Sequence, residues 1–278
     1  MLFRSLPWKT VWTSVYRAGA MTLASYRHGR VLFAGNAAHA MPIFGVRGLN
    51  SGFDDADNLA WKLAFVARGL SEAALLDSYS AERIAAFHVN AENAMRSTEF
   101  MSPPSRGFDL LREAALSLSG AHRGIAQLIN PRQTQAVRYE DSPLSSEDGD
   151  ALPAGPLPGE AMPEQQLAQG HLTDRIGACF TLLVLRPAGA DFELPAGDIA
   201  AARAGALPFA LCTVAADGPA DAHADARVFE ALGAREGAVY LLRPDGHVAA
   251  RWRRLGAGVL PRVLERAAAA VQLKTLAA

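Results

Sequence analysis

The chain has 278 residues, with 27 Lys and Arg against 28 Asp and Glu and a formal net charge of −1. This balance excludes the basic surface that nucleic acids require, and it provides no electrostatic attraction to a membrane. Half of the residues are hydrophobic, which excludes general disorder, and the length corresponds to about two domains.

The sequence contains neither a signal peptide nor a pattern of cysteines that indicates redox or metal chemistry. The two cysteines, Cys179 and Cys212, form no CxxC pair, so we expect small buried residues in a reducing compartment, without a redox or metal role. The N-terminus lacks the apolar core of a signal peptide, and no run of about 18 apolar residues occurs. We therefore expect a cytoplasmic protein that binds neither nucleic acid, membrane nor metal.

The first hundred residues predict two strands followed by helices. Alternating residues predict a strand over 8–16, and the apolar run over 30–34 predicts a strand buried on both faces. Apolar residues at helical spacing predict a helix over 51–68, ended by Gly69. A helical pair is predicted over 71–97, with an inner face of Leu75, Leu76, Tyr79, Ile84, Phe87 and Val89.

The segment between the second strand and the first helix is rich in glycine, at positions 35, 45, 48 and 52. Such glycines let backbone approach a ligand, or they serve a tight crossover into the helix, and the residues alone leave both interpretations open. On the same basis, Arg47 is a ligand contact or a solvated side chain, with the solvated side chain favoured, and His39 is interpreted as a satisfied structural histidine rather than a base. No GxGxxG, the usual dinucleotide motif, follows a strand in this sequence.

The second half of the chain has a different pattern. Residues 100–163 contain one predicted helix, over 107–119, and a linker rich in Pro, Gly and Ser. After them the order β-α-β-α-β-β-α predicts a thioredoxin-like domain, whose last two strands pair through the turn Arg243–Gly246. Without a thiol pair, its expected role is structural or at an interface. The strands are predicted at 179–185, 207–214, 238–242 and 247–252, and the helices at 196–204, 224–232 and 258–272.

An ordered set of residues carries a family resemblance. The set is Gly35-Asn36-Ala37-Ala38-His39, Pro42, Gly45, Gly48-Leu49-Asn50, Gly52, Asp55, Asn58-Leu59, Trp61-Lys62-Leu63-Ala64, Leu75-Leu76-Asp77-Ser78-Tyr79 and Glu82-Arg83. It closely resembles the second flavin motif of single-component FAD aromatic hydroxylases, the class A flavoprotein monooxygenases related to para-hydroxybenzoate and 3-(3-hydroxyphenyl)propionate hydroxylases. The resemblance continues through Tyr139-Glu140-Asp141-Ser142-Pro143-Leu144-Ser145 and ends with Arg243-Pro244-Asp245-Gly246-His247-Val248.

The resemblance implies an α/β fold in which a partial FAD-binding domain precedes the thioredoxin-like domain. The implied boundaries are 1–100 for the flavin part, 101–165 for a helical and linker segment, and 166–278 for the thioredoxin-like domain without CxxC. It also implies FAD as cofactor, NAD(P)H as reductant, and O₂ with a small phenolic or other aromatic substrate. No catalytic side chain is implied, because the flavin carries the chemistry.

The resemblance also implies a role for individual residues. Asn36, between Gly35 and Ala37, stands where the family usually has an Asp that hydrogen-bonds the ribityl chain. Pro42, Gly45 and Gly48 are implied to form the loop that passes close to the flavin ring. The backbone N–H groups of Leu49 and Asn50 are implied to face the pyrimidine edge of the ring, at the start of the long helix.

Departures from the family pattern leave three alternatives. Asn36 replaces the expected Asp, Ile43 replaces a second proline, and the N-terminal GxGxxG segment is missing. The chain is then part of a hydroxylase whose N-terminal half lies elsewhere, an inactive fragment, or a binding or oligomerisation module. An N-terminal half or a second copy of the chain is the expected partner, because the predicted strand over 8–16 has no neighbour.

Overall fold

The computed structural model describes residues 9–15, 19–125, 136–146, 152–190 and 193–269. The strand predicted over 8–16 is wrong for residues 9–15, which have no regular secondary structure and are exposed. Trp12, for example, is 80% exposed. Strand backbone requires hydrogen-bonding partners, and the described residues provide none to this segment. Residues 8 and 16 lie outside the described residues.

Four short strands precede the first long helix, and they form two antiparallel pairs, β1 with β4 and β2 with β3. Their bounds are Met21–Thr22 for β1, Arg27–His28 for β2, Val31–Leu32 for β3 and His39–Ala40 for β4. A strand is therefore present within the predicted range 30–34, over Val31–Leu32, but its predicted burial on both faces is wrong. Because its apolar residues belong to a two-stranded hairpin with no layer on its outer side, Val31 is 56% exposed.

Among the described residues up to position 120, three α-helices follow: α1 over Arg47–Ala67, α2 over Leu75–Met101 and α3 over Arg106–Ser119. Helix α1 begins earlier than predicted, and α2 is one helix rather than a pair because it contains neither Gly nor Pro. The predicted inner face of α2 is confirmed for its buried residues Leu75, Leu76, Tyr79 and Phe87, whereas Ile84 is half-buried and Val89 is exposed.

The second half of the chain contains strands β5 over Phe180–Arg186, β6 over Phe209–Ala215, β7 over Ala222–His223, β8 over Ala238–Leu242 and β9 over Val248–Trp252. They form a five-stranded sheet in the order β7-β6-β5-β8-β9. Strands β5, β6 and β7 are parallel, and β8 and β9 are antiparallel additions on the other side of β5. This confirms the α/β pattern and the hairpin through Arg243–Gly246, and it adds β7, which is too short to leave a pattern. The helices that accompany the sheet are α4 over Ala196–Ala204, α5 over Ala226–Ala231 and α6 over Val259–Ala268.

Both faces of this sheet are buried. Leu182 and Val184 of β5 face α4, α6 and the Trp61 and Phe65 side chains of α1, whereas Leu183 and its alternate neighbours face α5. The first of these cores therefore holds α1 against the sheet. Both cysteines are free in the described part of the chain, with Cys212 buried and Cys179 partly exposed. Among the described helices, none is long and apolar enough to cross a membrane.

Candidate functional site

A tight turn brings the glycine-rich segment against α1. After β3 the chain forms a single 3₁₀ turn over Gly35–Ala37, and Gly35 has a φ of 55°, which favours glycine. A Cβ on Gly52 of α1 would lie 3.6 Å from the Cα of Gly35. The two glycines therefore allow backbone of the turn and backbone of the helix to approach each other closely.

The start of α1 forms the other side of the site. Gly45 and Val46 precede the helix with φ angles of 91° and 53°, and the Asn50 side-chain amide donates a hydrogen bond of 2.9 Å to the Val46 carbonyl. The backbone N–H groups of Gly48 and Leu49 lie in the first helical turn, where no preceding helical carbonyl is available to them. This end of α1 therefore offers hydrogen-bond donors and the positive end of the helix dipole.

The turn and the helix start border an open cavity of about 910 Å³. This volume lies in the range of roughly 300–1,000 Å³ that is typical of cofactor sites. The lining residues include five of the residues predicted to bind cofactor, namely Gly35, Asn36, Pro42, Gly48 and Leu49. A Cβ at Gly48 would meet no protein atom within 4 Å. The donors and the bare backbone at Gly48 suit a large anionic cofactor.

The other predicted residues, Ala37, Gly45 and Asn50, lie in the same turn, loop and helix start without contributing to the lining. The remaining lining comes from residues that the sequence did not assign to the site: Ala40, Met41, Ile43, Val46, Arg47, Gly52, Phe53 and Ala56.

Arg47 is buried at this cavity, so its interpretation as a solvated side chain is wrong. Its Nη1 donates a hydrogen bond of 3.1 Å to Oδ1 of Asn90 on α2. Burial lowers the pKa of Arg47, but a guanidinium stays charged at neutral pH. The structure therefore places a positive charge beside the start of α1, which could not be read from the sequence because the burial depends on α2.

Asp55 of α1 holds the Gly35–Ala37 turn in place through a hydrogen bond to its backbone. Its carboxylate is fully buried and accepts hydrogen bonds from the Gly35 backbone N–H at 2.8 Å, His39 Nε2 at 2.8 Å and Arg83 Nε at 2.7 Å. Burial alone would raise the pKa of Asp55, but the His39 hydrogen bond and the Arg83 charge outweigh it and lower the pKa. The prediction of a satisfied structural histidine is therefore confirmed only for Nε2 of His39, because the buried Nδ1 has no partner among the described residues.

A second buried cluster centres on Glu82 of α2. Its carboxylate accepts hydrogen bonds from Asn58 and Lys62 of α1, both at 2.7 Å, and a bidentate pair from Arg243 at 2.7 and 3.0 Å. Burial would raise the pKa of Glu82, and the Arg243 and Lys62 charges lower it instead. These residues were named within the family motifs, but no role was assigned to them from the sequence. Charged residues on helix faces that are otherwise apolar could have indicated buried ion pairs.

Comparison with known proteins identifies the flavin part of the chain. Residues 4–94 match the family model of the FAD binding domain. The 6-methylpretetramide 4-monooxygenase of Streptomyces rimosus is 32% identical over 91% of this chain, and the match spans 47% of that enzyme. The 3-(3-hydroxy-phenyl)propionate/3-hydroxycinnamic acid hydroxylase of Mycolicibacterium vanbaalenii is 34% identical over 46% of this chain and 24% of its own length.

The fold comparison agrees with the sequence comparison. The crystal structure of the flavin-dependent monooxygenase PieE, in complex with FAD and substrate, superposes with a TM-score of 0.70 at 27% identity. The superposition covers 91% of this chain and 50% of PieE, so the chain spans about half the length of such relatives. Residues 4–94 thus match the FAD binding domain, and the chain is similar to FAD-dependent aromatic hydroxylase-like flavoproteins.

Proposed function

We propose that this chain forms one wall of the FAD site of a monooxygenase that hydroxylates a small aromatic substrate, with NAD(P)H as reductant. The observation that carries the proposal is the cavity between the Gly35–Ala37 turn and the start of α1, lined by the motif residues. FAD, when bound and reduced, supplies the reaction with O₂ that oxygenates the ring. We propose the cytoplasm as its location, because a nicotinamide reductant and cysteines that stay free in the described part of the chain suit a reducing compartment.

The residues of the wall then bind and orient the cofactor. Bare backbone at Gly35 and Gly48 permits close approach, and the exposed amide side chain of Asn36 can donate to or accept from ribityl hydroxyls. The pyrimidine edge was expected to meet the N–H groups of Leu49 and Asn50. We propose Gly48 and Leu49 as its donors instead, because both are in the first turn of α1 and line the cavity, whereas Asn50 does not line it. Together with the helix dipole and the buried Arg47 charge, these donors would stabilise negative charge that develops on the reduced ring.

A further polypeptide segment completes the site in this proposal. The cavity is open beside the outer face of α1, where Leu49, Phe53 and Leu63 are exposed. A stripe of large apolar residues of this kind is typical of a surface that packs against protein. We assign that position to an N-terminal half, with a second copy of the chain as the alternative. In this division, residues 1–100 form the flavin part, 101–165 the connecting segment and 166–278 the thioredoxin-like domain.

Flavin titration of the 278-residue chain tests the proposal. Retention of a visible flavin band after removal of free FAD supports it, and aromatic substrates with NAD(P)H are then assayed for substrate-dependent oxidation. Gly48→Val would place a side chain in the cavity, so we expect at least about a tenfold loss of FAD affinity. Gly197→Val is the matched control, because Gly197 is also the second residue of a helix with nothing within 4 Å of its Cβ position.

The outcomes are distinct. Equal flavin binding by the wild type and Gly48→Val would contradict the assignment of this cavity. No binding by the wild type, either alone or mixed with a segment that carries the GxGxxG half, would favour the alternative that the chain is an inactive fragment or an interaction module.

A further inference from the structure

We propose that the Arg243–Gly246 turn of the thioredoxin-like domain positions the Gly35–Ala37 turn of the flavin site. It acts through two buried clusters of hydrogen bonds and ion pairs, which are joined by the adjacent residues Glu82 and Arg83 of α2 and by the Tyr139 side chain. The inference rests on the proposed function and adds a role for a domain that has no thiol pair. It also explains two motifs that the flavin cavity does not use, Tyr139–Ser145 and Arg243–Val248.

The first step joins the turn to α2. Arg243 is fully buried, and its Nη1 and Nη2 donate to Glu82 Oε1 and Oε2 at 2.7 and 3.0 Å. The same guanidinium donates to Asp245 at 3.0 Å from Nε and 2.5 Å from Nη2. A planar guanidinium held by two carboxylates has one orientation, so the turn fixes the position of Glu82.

The second step joins the same turn to α1. Asp245 Oδ2 accepts hydrogen bonds from Trp61 Nε1 at 3.1 Å and from Asn58 Nδ2 at 3.4 Å. Lys62 of α1 donates to Glu82 at 2.7 Å, and the Arg243 guanidinium lies 5.5 Å from the centre of the Trp61 ring. The turn therefore contacts both helices and sets their relative position.

The third step runs from α2 to the flavin turn. Arg83, next to Glu82, donates to Asp55 Oδ1 at 2.7 Å and to the Ser51 carbonyl at 3.1 Å. The other oxygen of Asp55 accepts from the Gly35 backbone N–H at 2.8 Å. The cluster thus ends on the backbone that presents Asn36 to the cavity.

Tyr139 provides a parallel connection. Its hydroxyl accepts a hydrogen bond of 3.0 Å from Arg83 Nη1, and its ring lies 5.5 Å from the Arg243 guanidinium and stacks on His247 at 4.4 Å. One side chain therefore contacts both the arginine of the turn and the arginine that holds Asp55. Loss of Arg243 would loosen both connections, because buried charges without partners are strongly unfavourable.

Hydrogen exchange of the cofactor-free full chain tests this positioning role. In Arg243→Gln we expect the Gly35 amide and its neighbours up to Asp55 to exchange at least about tenfold faster than in the wild type. The matched control is Arg251→Gln, which alters a buried arginine of the same hairpin whose Nη1 donates to the carbonyls of Ala154, Gly155 and Pro156. We expect exchange at Gly35 to stay within about twofold of the wild type there.

Both variants are measured at a temperature where circular dichroism shows them to be folded. If Arg243→Gln does not fold, Tyr139→Phe replaces it, because it removes only the acceptor for Arg83 and should raise exchange at Gly35 by a smaller factor. Equal exchange at Gly35 in the test and control variants would overturn the inference.

FAD affinity of the same variants gives the second readout. We expect a loss of about tenfold for Arg243→Gln and little change for Arg251→Gln. A wild type that binds no FAD, either alone or mixed with a segment that carries the GxGxxG half, would count against the proposed function, whereas the exchange result would still decide the positioning role. Faster exchange at Gly35 with unchanged FAD affinity would show that the positioning role of the Arg243–Gly246 turn does not affect cofactor binding, and it would overturn that part of the inference.

Discussion

Removal of the Glu82 charge tests the buried cluster at the centre of the molecule. Glu82→Gln leaves two buried cations, Lys62 and Arg243, with Asp245 as the remaining carboxylate of the cluster. Breaking a buried ion pair by removing one partner typically costs about 3–5 kcal/mol. We therefore expect the free energy of unfolding to fall by about that amount.

The hydrogen bonds give an independent magnitude. Oε1 of Glu82 accepts from Ser142 and Arg243, and Oε2 accepts from Asn58, Lys62 and Arg243. Whichever oxygen becomes the amide nitrogen, it will face at least two donors, and each donor left unsatisfied costs about 1–3 kcal/mol. The result, roughly 2–6 kcal/mol, agrees with the ion-pair figure.

Thermal unfolding followed by circular dichroism measures the effect. For a chain of about this size, 1 kcal/mol shifts the midpoint by roughly 2–4 °C, so we expect a decrease of about 10 °C. Glu92→Gln is the control, because this ion pair with Arg96 on α2 is exposed and is worth about 0.5 kcal/mol or less. A midpoint for Glu82→Gln equal to that of Glu92→Gln would refute the reasoning.

Three further predictions follow from the same structure. Burial alone would raise the pKa of Glu82 and of Asp245, but the Arg243 charge outweighs it, so both pKa values are lowered in the folded state. Chemical denaturation should therefore show the full free energy of unfolding above about pH 4.5 and a decrease on acidification. A free energy of unfolding that stays constant down to about pH 3 would contradict this. Val46→Gly should raise the free energy of unfolding by about 0.5 kcal/mol in the same assay. Left-handed backbone costs a residue such as Val46 about 1–2 kcal/mol, and the greater conformational entropy that glycine loses on folding offsets part of the relief. A lower free energy of unfolding would argue against backbone strain. Asn36→Asp should bind FAD equally or more tightly in equilibrium titration, and clear loss of flavin would count against the ribityl role.

Local patterns were sufficient for much of the fold. Four of the five strands of the C-terminal sheet, its three helices, helix α3 and the end of α1 at Gly69 were predicted, because continuous apolar runs, helical spacing and turn residues act within a few positions of one another. The start of α1 and the single long α2 were less well predicted. Flavin-loop residues could be proposed in advance only through the family resemblance, since glycine-rich backbone is also typical of simple crossovers.

The sequence by itself determined the main elements of the C-terminal sheet and their order, the α/β class and the candidate flavin segment. Tertiary structure decided which charges are buried and paired: Arg47 lies at the cavity rather than in solvent, and Glu82 meets Arg243, which lies 161 positions away. It also decided that residues 9–15 form no strand among the described residues and that Val31 is exposed. The physical reason is the same in each case. Burial, ion pairing and strand hydrogen bonds depend on partners that are distant in the chain, and a local pattern does not indicate which distant residue will lie against it in the folded protein.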